Sequence, residues 1–206
     1  MATTIVVISG KQGSGKSTLQ QKLVESWQTK PGHRAFALNF ADPIYEMHNA
    51  VRAVARRYKL PIPEPKDGRL LQLLGTEWGR STLGRTVWID CVKEKIRELA
   101  EENDHYSDLL FIIGDCRMVN EFDAFPEALR VRLSCVKDVR QERCTNWRDN
   151  DGHPSEVELD RHERNYAFDL MIDTWITPPA GCADLVMAQL LKNVWLEKRP
   201  SEVAAV

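Results

Sequence analysis

Long apolar runs, paired cysteines and an excess of charge of either sign are what this sequence lacks. No stretch approaches the roughly 20 apolar residues of a membrane span, and the apolar run near the N-terminus is too short for the core of a signal peptide. We therefore expect a cytoplasmic protein that needs no membrane. The net charge of −2 over 206 residues provides no global basic field, so nucleic acid is not expected as an obligate partner. None of the five cysteines forms a C-x-x-C pair or a zinc-type Cys/His spacing, which favours reduced thiols.

Apolar runs instead alternate with helical patterns along the chain. Five short, nearly continuous runs predict strands at 4–9, 35–40, 109–114, 129–134 and 169–173. Helical patterns lie between or after them, at 17–28, 43–58, 68–78, 86–102, 137–147, 155–165 and 181–197. Strands of this kind, separated by helices, indicate a parallel sheet covered on both faces. We predict an α/β fold in a single domain, residues 1–206, with about five parallel strands.

The segment 10–17, GKQGSGKS, matches the phosphate-loop pattern G-x-x-x-x-G-K-[ST] between a predicted strand and a predicted helix. Its glycines let backbone N–H groups turn toward a polyphosphate, and the helix that follows adds its positive end. Lys16 supplies a charge for the β- and γ-phosphates, and the Ser17 hydroxyl can ligate Mg²⁺. The pattern predicts ATP and Mg²⁺ as cofactors, contacted by Gly10, Gly13, Ser14, Gly15, Lys16, Ser17 and Thr18.

An acidic residue, Asp115, ends the apolar run 109–114. The carboxyl ends of strands are where open α/β sheets bind their ligands. Asp115 is therefore a candidate for holding Mg²⁺ or for orienting a second phosphate. The alternative is that it caps the next helix.

A second candidate group lies in the Gly-punctuated segment 70–90. Arg80 has the planar fork that recognises phosphate, and Glu77 lies close by in sequence. Trp78 and Trp88 could stack on a base or fill a core, and core packing stays an open alternative for both.

Three arginines, Arg140, Arg143 and Arg148, precede a polar loop at 149–154. Arg140 and Arg143 share a face if 137–147 is helical. The region 137–160 is expected to be a mobile lid, with Arg140 contacting the nucleotide and Arg143 and Arg148 neutralising the transferred phosphoryl group. A solvated basic helix face is the alternative.

Together these groups resemble the bacteriophage deoxynucleoside monophosphate kinase family. The matching segments are the phosphate loop, FADP (40–43), LLQLLGTEWGR (70–80), WID (88–90), DCRMVNE (115–121) and HPSE (153–156). The resemblance implies a phosphate-loop kinase fold with a helical acceptor-binding insertion at 43–105, in the host cytoplasm if the chain is phage-encoded. It implies acceptor contacts from Asp42, Arg69, Glu77, Arg80, Asp115 and Arg117. The sequence departs from the family at Cys116, where an apolar residue is expected, and it has a single basic residue, Arg69, directly before LLQ, with Lys66 nearby.

The leading interpretation is a kinase that uses ATP to convert a deoxynucleoside monophosphate (dNMP) to the diphosphate. Another small phosphate-loop kinase, with a phosphomevalonate-type acceptor, is an alternative. A nucleotide-driven switch or motor is disfavoured, because Asp115 is followed by Cys116 and Arg117 rather than by a water-activating glutamate. The apolar face of 183–196 could pack within the domain or against a second copy, so a homodimer remains open.

Overall fold

The computed structural model describes residues 2–64, 66–145, 147, 152, 157–160 and 168–197, with side chains in the last helix described to residue 192. The chain divides into two compact units. The first unit contains residues 1–37 and 105–206, and the second contains residues 38–104. Residues 43–105, predicted as a helical insertion, fall almost wholly within the second unit.

A five-stranded sheet has the order β2-β3-β1-β4-β5. The strands are β1 (Ala2–Gly10), β2 (His33–Leu38), β3 (Asp108–Cys116), β4 (Leu129–Ser134) and β5 (Leu170–Asp173). The pairs β1–β3, β1–β4 and β4–β5 are parallel. In β1, residues 5–10 are buried without alternation, and so are residues 109–114 of β3, as expected for a sheet covered on both faces.

The helices of the first unit flank this sheet. They are α1 (Lys16–Trp27), α5 (Val119–Asp123), α6 (Lys137–Arg143), a 3₁₀ turn (Glu158–Asp160) and α7 (Pro179–Glu197). Helix α7 buries Val186 and Leu190 in the same core as Leu19 and Leu23 of α1. This part of its apolar face therefore packs within the first unit, while Leu185 and Leu191 are exposed.

The second unit is helical. It contains α2 (Asp42–Arg57), α3 (Gly68–Gln72), a π-helix (Leu73–Leu83) and α4 (Val87–Glu102). The segment between α2 and α3 is tied to α2, because buried Arg52 donates to the carbonyl of Pro63 at 2.5 Å and also to the Glu64 carboxylate. Among the described residues of the chain, no helix is both long enough and apolar enough to cross a membrane.

Candidate active site

The phosphate loop has the backbone that its glycines predict. Gly10, Gly13 and Gly15 have φ values of 152°, 78° and 94°, a region that residues with side chains rarely adopt. A Cβ on Gly13 would lie 2.7 Å from the carbonyl oxygen of Arg140, so α6 packs directly against the loop. Close approach and backbone conformation therefore both require glycine at position 13.

Helix α1 begins directly at the end of this loop. Its N-cap is Gly15 in the left-handed conformation, no side chain caps the helix, and its first turn carries no acid. The first N–H groups of a helix have no intrahelical partner, and they attract anions. Ser17 and Thr18 are exposed at this end, so the helix start is suited to phosphate.

The Lys16 side chain lies back across the loop. Its Nζ donates to the carbonyl oxygens of Gly10, at 2.5 Å, and of Lys11, at 2.9 Å. The ammonium group is thereby held over the loop where a polyphosphate would be cradled. Ser14 is 1% exposed, and its Oγ has no hydrogen-bond partner within the described part of the chain.

A β-bulge determines how Asp115 leaves the sheet. The β1–β3 register passes from Val7↔Ile113 to Ser9↔Cys116, so one residue of β1 faces both Gly114 and Asp115. Bulges reorient side chains at strand ends, and this one lies beside the start of the phosphate loop. Asp115 is half-buried there.

Helix α1 is fixed to the same bulge. Buried Gln20 donates from Nε2 to the carbonyl of Ile112 at 2.8 Å, and a Cβ on Gly114 would lie 2.7 Å from the Gln20 amide carbon. Nothing in the sequence marks Gln20 as part of the site. It connects the helix that carries Lys16 to the strand that carries Asp115.

Ser17 offers a hydroxyl in the first turn of α1, and Asp115 offers a carboxylate near the carboxyl end of β3. These hard oxygen donors fit Mg²⁺, which keeps several waters and takes further ligands from phosphates. The described residues contain no group of three or more His, Cys, Asp or Glu side chains that could hold a metal by themselves. The donor set therefore fits a magnesium ion that arrives with its nucleotide.

The segment after Asp115 is locally stabilised by a buried carboxylate. Glu121 is 3% exposed and accepts the backbone N–H groups of Arg117, at 2.9 Å, and Met118, at 3.1 Å. Burial raises the pKa of the Cys116 thiol well above its usual range, and the carboxylates of Glu121 and Asp115 raise it further. A neutral buried thiol packs as a small apolar side chain. Cys116 can therefore occupy a position where the resemblance implies an apolar residue.

The two arginines of α6, Arg140 and Arg143, donate hydrogen bonds to other residues of the protein. Arg140 is 3% exposed and donates to the carbonyls of Cys135, at 3.1 Å, and Gln12, at 3.2 Å. Arg143 donates to Thr174 through both the side-chain hydroxyl, at 3.1 Å, and the carbonyl, at 2.9 Å.

Thr174 in turn donates to the Ser14 carbonyl at 3.0 Å, so it joins the end of β5 to the phosphate loop. The sequence offers one signal for this threonine, its place at the carboxyl end of a strand. Arg148 and the motif at 153–156 lie outside the described residues.

The segment LLGTEWGRSTL forms the π-helix of the second unit. π-Helices are rare in proteins, but those that occur are frequently found at functional sites. Glu77 and Trp78 are exposed on it, and Arg80 is half-buried. Arg69 and Glu77 line a cavity of about 300 Å³ together with Asp67, Leu70 and Leu73.

Two other residues proposed to bind the acceptor, Trp88 and Asp42, make hydrogen bonds to other residues of the protein. Trp88 is 3% exposed and donates from Nε1 to the carbonyl of Gly75 at 2.9 Å, so it fills the core of the second unit. The Asp42 carboxylate accepts the backbone N–H of Asn39, at 2.8 Å, and its side-chain amide, at 3.0 Å. Of the two tryptophans proposed for the acceptor, Trp88 is buried and Trp78 is exposed, at 42%.

No protein-family model matches this sequence, and no curated protein matches it significantly. Several solved structures do match the fold. The tunicamycin resistance protein of Deinococcus radiodurans superimposes with a TM-score of 0.51 at 17% identity, covering 91% of this chain and 95% of that one. A protein from Thermus thermophilus gives 0.50 at 18% identity, covering 94% and 99%. Shikimate kinase from Acinetobacter baumannii, in complex with shikimate, gives 0.49 at 15% identity, covering 94% and 95%.

At these identities the first two matches establish the fold and nothing finer. They confirm the predicted α/β class, in which a parallel sheet flanked by helices carries a phosphate loop after its first strand.

Proposed function

We propose that this chain is an ATP-dependent kinase that transfers the γ-phosphoryl group of ATP to a deoxynucleoside monophosphate, giving the diphosphate and ADP. The observation that carries the proposal is the loop at 10–17, with its left-handed glycines, its uncapped helix start and Lys16 held across it. The motif at 70–80 supports the choice of acceptor.

In the proposed reaction an acceptor phosphate oxygen attacks the γ-phosphorus of ATP. The bond from that phosphorus to the β–γ bridging oxygen breaks, and ADP leaves with the electron pair. Positioning and charge neutralisation provide nearly all of the catalysis in such transfers. Lys16 would neutralise the β- and γ-phosphates, and Ser17 and Asp115 would hold Mg²⁺, which supplies further positive charge.

The acceptor is assigned to the second unit. Arg80 and Arg69 carry the charge expected for a monophosphate, and Trp78 offers an exposed aromatic face to a base. Glu77 lines the same cavity as Arg69 and can accept hydrogen bonds from a base or sugar. Asp42 and Trp88 belong to the matching motifs, and we expect them to support the acceptor site through backbone contacts and packing.

The test is release of ADP from ATP, measured with and without each of the four deoxynucleoside monophosphates. Release that depends on one or more of them supports the proposal, and ribonucleoside monophosphates in the same panel define the sugar preference. Release without any acceptor identifies an ATPase. Release that depends on phosphomevalonate alone identifies a kinase with another acceptor. Lys16→Ala is the negative control and should lower turnover by about 10²-fold or more.

A further inference from the structure

A carboxylate outside the motifs, Asp160, joins two cations at the phosphate loop. Its Oδ2 lies 2.9 Å from Nζ of Lys11, and its Oδ1 accepts a hydrogen bond from Nη2 of Arg132 at 2.5 Å. Arg132 is 4% exposed, and its Nη1 donates to Oγ of Ser9 at 2.8 Å. The Asp160 carboxylate thus contacts Lys11 directly and is connected to Ser9 through Arg132. Ser9 and Lys11 are the residues on either side of Gly10.

Lys11 and the neighbouring Gly10 contact Lys16 directly. The carbonyl of Lys11 accepts both the Lys16 Nζ, at 2.9 Å, and the backbone N–H of Ser14, at 3.1 Å. The carbonyl of Gly10 accepts the Lys16 Nζ as well. The pair of carbonyls that positions the Lys16 ammonium is therefore flanked by contacts that lead back to Asp160.

Asp160 is itself held in place. It ends the 3₁₀ turn, where Leu159 is 1% exposed and Glu158 accepts the backbone N–H of Val119 at 2.9 Å. Val119 begins α5, which follows the strand carrying Asp115. The turn is thus held by the burial of Leu159 and by the contacts of Glu158 and Asp160.

We propose that Asp160 is a positioning residue for the phosphate loop, fixing Lys11 and, through Arg132, Ser9, so that the loop holds Lys16 in register for a nucleotide polyphosphate. The inference rests on the proposed function only as far as nucleotide binding at residues 10–17. It implies no direct contact between Asp160 and ATP.

The direction in which ATP affinity changes when Asp160 loses its charge distinguishes a positioning role from a simple electrostatic effect. Removing a negative charge near a polyphosphate site should tighten ATP binding if only through-space Coulomb interactions matter. Removing a positioning contact should weaken binding. For Asp160→Asn we expect the ATP dissociation constant, measured by calorimetry, to rise by about tenfold, the scale of coupling within a connected ion-pair network.

Lys11→Met tests the same connection without disturbing buried Arg132. It keeps the aliphatic stem, and we expect it to weaken ATP binding several-fold at an almost unchanged melting temperature, whereas Lys11→Arg retains most of the binding. The double variant of Lys11 and Asp160 should bind no worse than the weaker single variant, because both changes break one connection. Asp184→Asn, an exposed acid on α7, is the matched control and should stay within about twofold of wild type.

Tighter binding by Asp160→Asn, or additive losses in the double variant, would overturn the inference. If Asp160→Asn does not fold, unchanged ATP binding by Lys11→Met overturns it as well. Lys16→Ala keeps this test separate from the proposed function. If Lys16→Ala binds and turns over ATP like wild type, the nucleotide site itself is wrong. If Lys16→Ala alone loses function, only the role of Asp160 fails.

Discussion

Replacing Gly79 with alanine would place a methyl group against the indole ring of Trp88. An ideal Cβ at residue 79 lies 2.2 Å from Cζ2 of Trp88, and 2.8 Å from both Cε2 of that ring and the carbonyl oxygen of Leu74. Ordinary carbon contacts begin near 3.5 Å, so the ring would have to move by about 1.3 Å. Trp88 is buried and bonded to the Gly75 carbonyl, and it has little room to move.

The expected cost follows from these contacts. Overpacking a well-filled core costs about 1–3 kcal/mol, and straining the indole hydrogen bond adds up to about 1 kcal/mol. The higher helix propensity of alanine offsets up to about 1 kcal/mol of this loss of stability. A net loss of about 1–3 kcal/mol should lower the melting temperature of a chain of this size by roughly 3–10 °C.

Gly75→Ala provides a matched control in the same π-helix. The three atoms nearest its Cβ all belong to Ile44, and the closest, Cδ1 at 3.1 Å, is the end of a flexible side chain. We expect Gly75→Ala to change stability by less than about 1 kcal/mol. Thermal melts followed by circular dichroism compare the two variants directly. A Gly79→Ala protein that melts with wild type, or above Gly75→Ala, would refute the packing described for Trp88.

Three further changes probe the site. Arg80→Ala should raise KM for the monophosphate while ATP affinity, titrated without acceptor, stays unchanged; equal losses would place Arg80 at the nucleotide instead. Asp115→Asn should remove most activity across a Mg²⁺ titration, whereas near-wild-type activity would exclude Asp115 from the magnesium site, since the N-cap of α5 is Met118. Because the pKa of Cys116 is raised by burial, the unfolded chain loses its thiol proton first above about pH 8.5, so stability should fall there as pH rises. Chemical denaturation at pH 7.5 and 9.5 measures this, and Cys116→Ala should reduce the difference.

The strands were predictable because burial on both faces leaves a continuous apolar signal. Residues 129–134 were predicted as a strand with the observed bounds, and the runs 4–9 and 109–114 fall within the longer β1 and β3. The extra residues at the ends of β1 and β3 include the polar Asp108 and Asp115, which an apolar run does not mark. Where a strand ends in polar residues, its last residue is determined by pairing with a neighbouring strand that is distant in sequence.

The π-helix could not be predicted from the sequence, because it depends on contacts between distant residues of the second unit. The sequence predicts an α-helix at 68–78, whereas the structure has five α-helical residues followed by a π-helix over Leu73–Leu83. Helical periodicity in so short a segment does not separate the two backbone patterns. The glycines that distinguish this segment pack against Ile44 and Trp88, and only the folded chain brings those side chains to them.

The backbone conformation of the phosphate loop was predictable from its glycine pattern, whereas the side chains that stabilise it were not. Gln20, Thr174 and Asp160 reach the loop or its neighbouring strand through hydrogen bonds and ion pairs to residues 92 to 160 positions away. None of them belongs to a sequence motif. A local pattern specifies a loop's chemistry, but the contacts that hold the loop in shape depend on topology.

The hydrogen bonds of Arg143 on α6 lead to a further testable prediction. The spacing of the arginines on α6 predicted a lid face, yet Arg143 has two donors on Thr174, which itself donates to the loop. If that contact positions the loop, Arg143→Ala should lower the melting temperature of the free protein and weaken ATP binding together, and Arg143→Lys should restore little because one ammonium cannot replace the planar fork. A fall in kcat alone, with melting temperature and ATP affinity unchanged, would instead return Arg143 to the lid role.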